Sequence, residues 1–159
     1  MDWLLNLDRE LLLAVNGWNS PIADKIMLFF SAIPVWIPLY IIVAALMFWP
    51  RWQTHRSEKI PFWAAGIFCV VAIAICFGFC DQASSFIKES VQRFRPGHEP
   101  ALEGLVRLLE GKGGNYGFVS GHAANSFGFA TITSLIFRKK PYTAAIFCWA
   151  AIVSYSRIY

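Results

Sequence analysis

Long stretches without a charged residue are the strongest constraint this chain of 159 residues places on its own fold. Residues 26–50 hold 25 positions without Lys, Arg, Asp or Glu, residues 60–80 hold 21, residues 113–137 hold 25 and residues 141–156 hold 16. A helix needs about 20 mostly apolar residues, at 1.5 Å each, to cross ~30 Å of hydrocarbon. The first two runs meet that length, the third does so from Ser120 with Arg138 at the interface, and the fourth needs Arg157 and Tyr159 in the headgroup zone. Hydrophobic residues make up 57% of the chain and charged residues 15%, against about 45–50% and about 25% in soluble domains. The sequence predicts an all-α, polytopic membrane helix bundle with four spans.

The N-terminus lacks the basic start and small-residue cleavage site of a signal peptide, opening Met1-Asp2-Trp3 with Asp8 and Glu10 following. Leu4, Leu5, Leu11, Leu12 and Val15 recur near a 3.6 period, which suggests an interfacial amphipathic helix over residues 1–20, with Trp3 and Trp18 as anchors. The other reading extends the first span backwards, although Gly17 and Pro21 favour a break. Cys69, Cys76, Cys80 and Cys148 fall inside the spans as small apolar residues, and no ligand set for a metal accompanies them.

Four spans put the loops 50–59 and 138–140 on one side. They carry six cations (Arg51, Arg56, Lys59, Arg138, Lys139, Lys140) against the single acid Glu58. The other side holds eight cations but nine acids. A raw count of Lys and Arg favours that second side, yet short, nearly acid-free loops are the kind the positive-inside rule weighs. The expectation is a multi-pass protein of a bacterial inner membrane, with the two short loops cytoplasmic and the opposite face periplasmic or exterior.

Residues 81–122 join the second and third spans on that opposite face. The helix is expected to run on until Pro96 ends it, which would put Lys88 and Arg95 on about the same helix face. Residues 97–118 read as loop, with a short helix over 101–110. Ser120 is a good N-cap, and the free N–H groups of the helix it opens suit an anion. Lys88, Arg95, Ser120, Gly121, His122 and Arg157 then meet at one membrane boundary and describe a phosphate pocket. His122 is suited to protonating a leaving oxygen. Taken singly, each has a plainer role: a snorkelling arginine, a helix cap, a polar helix contact or a solvated helix end. Their joint order and sidedness is what carries the signal. Asp81 reads equally as support for Ser84 or Ser85 and as a packing residue.

Lys88-x6-Arg95-Pro96, then Ser120-Gly121-His122, then Ser156-Arg157 resembles the three-part signature of the type 2 phosphatidic acid phosphatases, membrane lipid phosphatases related in fold to vanadium haloperoxidases. Val119 stands where that signature has proline. The third part normally continues to a histidine and an acidic residue, and this sequence stops at Tyr159. The resemblance implies a six-span core of which four spans are visible, and a hydrolysis that uses neither metal nor cofactor. Lys88, Arg95 and Arg157 would bind the non-bridging phosphate oxygens, and Ser120 with the Gly121 amide would complete the cradle. His122 would act as general acid, and the absent histidine would take the phosphoryl group covalently. His55, in the opposite loop, and His98, in a turn, are poor substitutes.

These readings make residues 1–159 one membrane phosphatase domain, C-terminally truncated, with 1–20 interfacial and 91–118 an external loop carrying part of the site. A chain supplemented by a partner and a short, non-catalytic homologue are the other accounts of the missing histidine. The expected activity is hydrolysis of a membrane lipid phosphomonoester or diphosphate, such as undecaprenyl diphosphate, phosphatidylglycerol phosphate, phosphatidic acid or a lipid A phosphate. The expected partners are the bilayer and the lipid phosphate, not nucleic acid. The competing class is a non-catalytic or transporter-like protein that binds anionic lipid. A transporter would place ionisable residues at mid-membrane, whereas here the charges gather at one boundary.

Overall fold

The computed structural model describes residues 2–52, 59–109 and 111–159. The expectations for His55, Arg56 and Glu58, and the last residue of the expected short helix, Glu110, lie outside them. The chain is all-α: α1 (Asp2–Gly17), α2 (Pro21–Ser31), α3 (Ile37–Met47), α4 (Phe62–Val91), α5 (Gly121–Phe137) and α6 (Lys140–Ser156). Among the described residues the one β-type pairing is an isolated bridge between Phe94 and Tyr116. The break expected at Gly17 and Pro21 is present. Ser20 caps α2, its Oγ accepting from Ala23 N at 3.1 Å, and Pro21 fits the first helical position because no N–H is needed there.

The first predicted span is two helices. α2 and the segment Ile33–Met47 meet at 66°. Pro34 has no N–H to give the Phe30 carbonyl and its ring would clash with that carbonyl in a continuous helix. Ala32 therefore turns extended, and the Trp36 indole N–H donates to Phe30 O at 2.9 Å. The bend thus leaves that carbonyl satisfied.

The second span, α4, has 30 residues, about 45 Å of helix. That exceeds the hydrocarbon thickness and carries its last turns beyond it. It ends at Val91, four residues before the expected stop at Arg95. Gln92 takes the left-handed conformation (φ 49°) and donates its N–H to Lys88 O at 2.9 Å. The next backbone groups then pair with the returning loop: Arg95 N donates to Asn115 O and Gly117 N to Arg93 O, each at 2.9 Å. The expected short helix over 101–110 reduces to one 3-10 turn, Pro100–Leu102. Gly104 follows at φ 77°, a left-handed value that helix does not use.

Among the described residues α4 is long and apolar enough to cross a bilayer alone, and the bent α2–α3 pair makes a second crossing if it is one span. α5 and α6 have 17 residues each, about 26 Å of helix. They form a hairpin whose turn, Arg138–Lys139, closes through a left-handed Arg138, and α4 packs along α5. The shared core is Val43, Met47, Phe129, Phe137, Ile146, Trp149 and Val153 with two alanines. Edge-on aromatic contacts tie it to α3, such as Tyr40 to Phe129 at 5.0 Å. The outer face of α4 is apolar and open: Phe68, Phe79 and Phe86 are 75%, 74% and 72% exposed. That distribution is inverted relative to a soluble helix and suits hydrocarbon.

Candidate functional site

The antiparallel run of α4, α5 and α6 brings the end of α4, the start of α5 and the end of α6 to one end of the bundle. The residues singled out from the sequence fall there in two groups.

The first group is the α4–α5 contact. Asp81, Ser84 and Lys88 are spaced at i, i+3 and i+7, so α4 presents them on one face. That face meets the first residue of α5. From the point where a Cβ of Gly121 would stand, Ser84 Oγ is at 3.6 Å, Lys88 Nζ at 3.7 Å and Asp81 Oδ1 at 4.0 Å. The glycine keeps open a space bordered by an ammonium, a hydroxyl and a helix start, which a methyl group would fill. Ser120 caps α5 as expected, its Oγ accepting from Ala123 N at 3.3 Å and its main-chain oxygen from Ala124 N at 2.9 Å. His122 stands next, half-buried in the first turn. Asp81, assigned no definite role from the sequence, thus borders this space with Lys88.

The second group surrounds Arg95 and Arg157. Arg95 does not share a helix face with Lys88, because α4 has ended. It belongs to the paired segment after the helix, where its Nε donates to Tyr116 O at 3.1 Å. Its side chain crosses directly over Gly113 and Gly117, and a Cβ on either would overlap it. The glycines that mark this stretch as a loop therefore also let Arg95 through. Arg157 caps the end of α6, and its guanidinium donates to Ser31 Oγ. Arg95 and Arg157 line one cavity of about 150 Å³ with Arg107 and Lys112, closed on the α1 side by Leu12 and Asn16. Lys88, Ser120, Gly121 and His122 form the other group, joined to this one through the short segment from Gly117 to Ser120.

Several residues around this cavity carry no motif. Arg107 makes a two-pronged ion pair with Asp24, and the hydrogen bonds it donates to that carboxylate hold the guanidinium above its ordinary pKa. Asn16 bridges Arg107 and Tyr159. The sequence signal for Asn16 was its position four residues after Leu12, which places it on the inward face of α1. α1 is further tied to the loop by Arg9–Glu99 at 3.2 Å and by Asp8–Arg93. His98 stands in the same loop, its Nε2 3.2 Å from Gly113 O.

Residues 63–159 match the family model described as the PAP2 superfamily. The chain belongs to that superfamily. It is similar along its whole length to two curated relatives. A lipid A 4'-phosphatase of Porphyromonas gingivalis is 38% identical over 161 residues, covering 100% of this chain and 64% of the relative. A lipid A 4'-phosphatase of Bacteroides thetaiotaomicron is 36% identical over 162 residues, covering 100% of this chain and 68% of the relative. The chain therefore spans about two thirds of the length of these relatives. No solved structure matches it. The matched segment begins at the start of α4 and takes in all six motif residues, so membership agrees with the resemblance carried by the three motifs. α1, α2 and α3 lie outside the PAP2 model but inside both relatives.

Proposed function

We propose that this PAP2 chain is the phosphate-binding part of a metal-independent membrane lipid phosphatase acting on a phosphomonoester of lipid A. The observation that carries the reading is the opening at Gly121, where the Lys88 ammonium stands beside the first turn of a capped helix. A helix start and a neighbouring ammonium favour a phosphate oxyanion, with the Asp81 carboxylate on the same border opposing it. Lys88, Arg95 and Arg157 would neutralise the non-bridging oxygens. Ser120 and the Gly121 amide would complete the cradle, and His122 would protonate the departing sugar oxygen. The phosphoryl acceptor would be a histidine with no counterpart among the motif positions of this chain, giving a phosphohistidine that water then cleaves. No step calls for a metal or cofactor. The choice of lipid A among lipid phosphates rests on the two relatives, and the charge-free helices supply the setting for its acyl chains. In this reading residues 1–159 form one domain with four membrane-crossing segments. Residues 1–20 lie in the interface, and 91–118 form an external loop facing the periplasm or exterior of a bacterial inner membrane.

The test is phosphate release by membranes carrying the gene's complete product, offered 4'-phosphorylated lipid A, phosphatidic acid, phosphatidylglycerol phosphate and undecaprenyl diphosphate. Release is expected from lipid A and to persist in EDTA. His122→Ala should lower it by about a hundredfold, within the range a general acid contributes. Gly121→Ala should lower it comparably while the protein still folds, since a methyl there makes ordinary contacts. Release from none of the four lipids, or release indifferent to both substitutions, overturns the assignment.

A further inference from the structure

Arg157 ends α6, yet its guanidinium is held from α2 and the backbone that follows it from α1, both outside the residues 63–159 that define the family match. Ser31, the last residue of α2 and only 6% exposed, accepts a hydrogen bond from the Arg157 guanidinium. Asn16, near the end of α1 and 7% exposed, donates from Nδ2 to Tyr159 O at 2.7 Å and to Arg107 O at 3.0 Å, and its Oδ1 accepts from Arg107 N at 2.8 Å. Those three bonds fix the amide orientation, because the flipped amide would set oxygen against two carbonyls. The Tyr159 hydroxyl donates to Asp24 Oδ1 at 2.9 Å and accepts from Ser20 N at 3.2 Å. The backbone two residues past Arg157 is thus held by α1, its tyrosine by α2, and the guanidinium itself by Ser31.

We propose that Ser31, through the guanidinium, and Asn16, through the backbone two residues on, are positioning residues for Arg157 on the cavity it shares with Arg95. A free arginine side chain loses substantial rotamer entropy when a ligand orders it. A side chain ordered beforehand removes that cost from binding. Buried groups from outside the family-defining segment would then set how tightly the third motif grips an anion. The geometric claim stands by itself; its effect on anion binding rests on the phosphate-site reading above.

Two measurements on the 159-residue chain in lipid nanodiscs separate these claims. The first is modification of Arg157 by phenylglyoxal, followed by peptide mass spectrometry with Arg138, at the opposite end of α5, as reference. Ser31→Ala should speed it by about tenfold, the loss expected for one charge-assisted hydrogen bond, and Asn16→Ala, which acts through the Tyr159 backbone and not on the guanidinium, should speed it by a smaller factor. Ser31→Thr, which keeps the hydroxyl, should stay near the parent rate. The second is orthovanadate affinity. Ser31→Ala should weaken it in the parent and add nothing once Arg157→Ala is present, since both changes then act through one group. Modification rates unchanged in both alanine variants overturn the clamp, as does a Ser31→Ala effect on vanadate that persists undiminished without Arg157. Faster modification in the alanine variants, together with a parent chain that binds no vanadate, leaves the clamp standing and overturns the phosphate-site reading.

Discussion

The two principal cations of the first motif are held in different ways. Lys88 stands at the end of a helix and offers a single ammonium to the space beside Gly121. Arg95 is fixed twice, through its backbone on Asn115 and through Nε on Tyr116. Its guanidinium plane is thereby oriented, and on the proposed reading its two terminal nitrogens would form a fork for phosphate oxygens. Lysine at position 95 would lose both the anchor and the fork, whereas arginine at position 88 keeps the charge. Arg95→Lys should therefore weaken orthovanadate binding by about ten- to hundredfold, corresponding to about 1.5–3 kcal/mol for a charge-assisted hydrogen bond. Lys88→Arg should weaken it less. Titration of both variants, with thermal unfolding as a control, checks this, and near-parent affinity for Arg95→Lys would remove the fork from the account.

At the scale of elements, the site depends on how closely α4 and α5 approach. Gly128 of α5 faces Cys76 and Cys80 of α4, and a Cβ there would stand 2.9 Å from one sulfur and 3.2 Å from the other. Small residues that let helices touch are the usual basis of association within a bilayer, where no hydrophobic drive separates helix from lipid. Gly128→Val should force the two helices apart and destabilise the chain by about 1–3 kcal/mol, as overpacking does. Gly78, also on α4, has open space where its Cβ would be. Gly78→Val is the matched control and should leave stability near that of the parent. Thermal unfolding in detergent, read by tryptophan fluorescence, distinguishes the two. If both variants melt alike, close approach at Gly128 is not what holds the pair.

On the whole-molecule scale, an exterior suited to hydrocarbon carries a polar site at one end. The bent α2–α3 pair packs against the hairpin of α5 and α6, and α1 lies across the loop that bears Arg95. On the proposed reading, Lys88, Arg95, Arg157 and the capped start of α5 bind the anion, while turnover needs in addition a phosphoryl acceptor outside these residues, so binding and turnover are measured separately. The 159-residue chain should bind orthovanadate or phosphate in a manner sensitive to Arg95→Ala. It should release no phosphate from lipid A. A radiolabelled phosphate assay beside a vanadate titration checks both halves, and mutation-sensitive release by this chain would return His98 to consideration as the nucleophile.

The sequence by itself determined what depends on neighbours along the chain. Charge-free runs mark helices because an apolar stretch leaves the backbone few ways to satisfy itself in lipid. Ser20 with Pro21, and Ser120, mark helix starts because capping is local. The order of the three motifs was legible for the same reason, and with it the six residues brought to one end of the bundle. Tertiary structure decided the rest. α4 stops at Val91 because the following backbone pairs with residues 115–117 instead of continuing its helix. The kink that Pro34 puts in the first span was legible, because a proline has no N–H for Phe30, but its 66° angle and the Trp36 indole on the freed carbonyl belong to the fold. Asn16 and Ser31 had no motif to announce them, since their partners lie 143 and 126 residues away along the chain. A hydrogen bond across such a separation leaves no periodicity or spacing in the sequence, and only the packing of α1 and α2 against the end of α6 brings its two halves together.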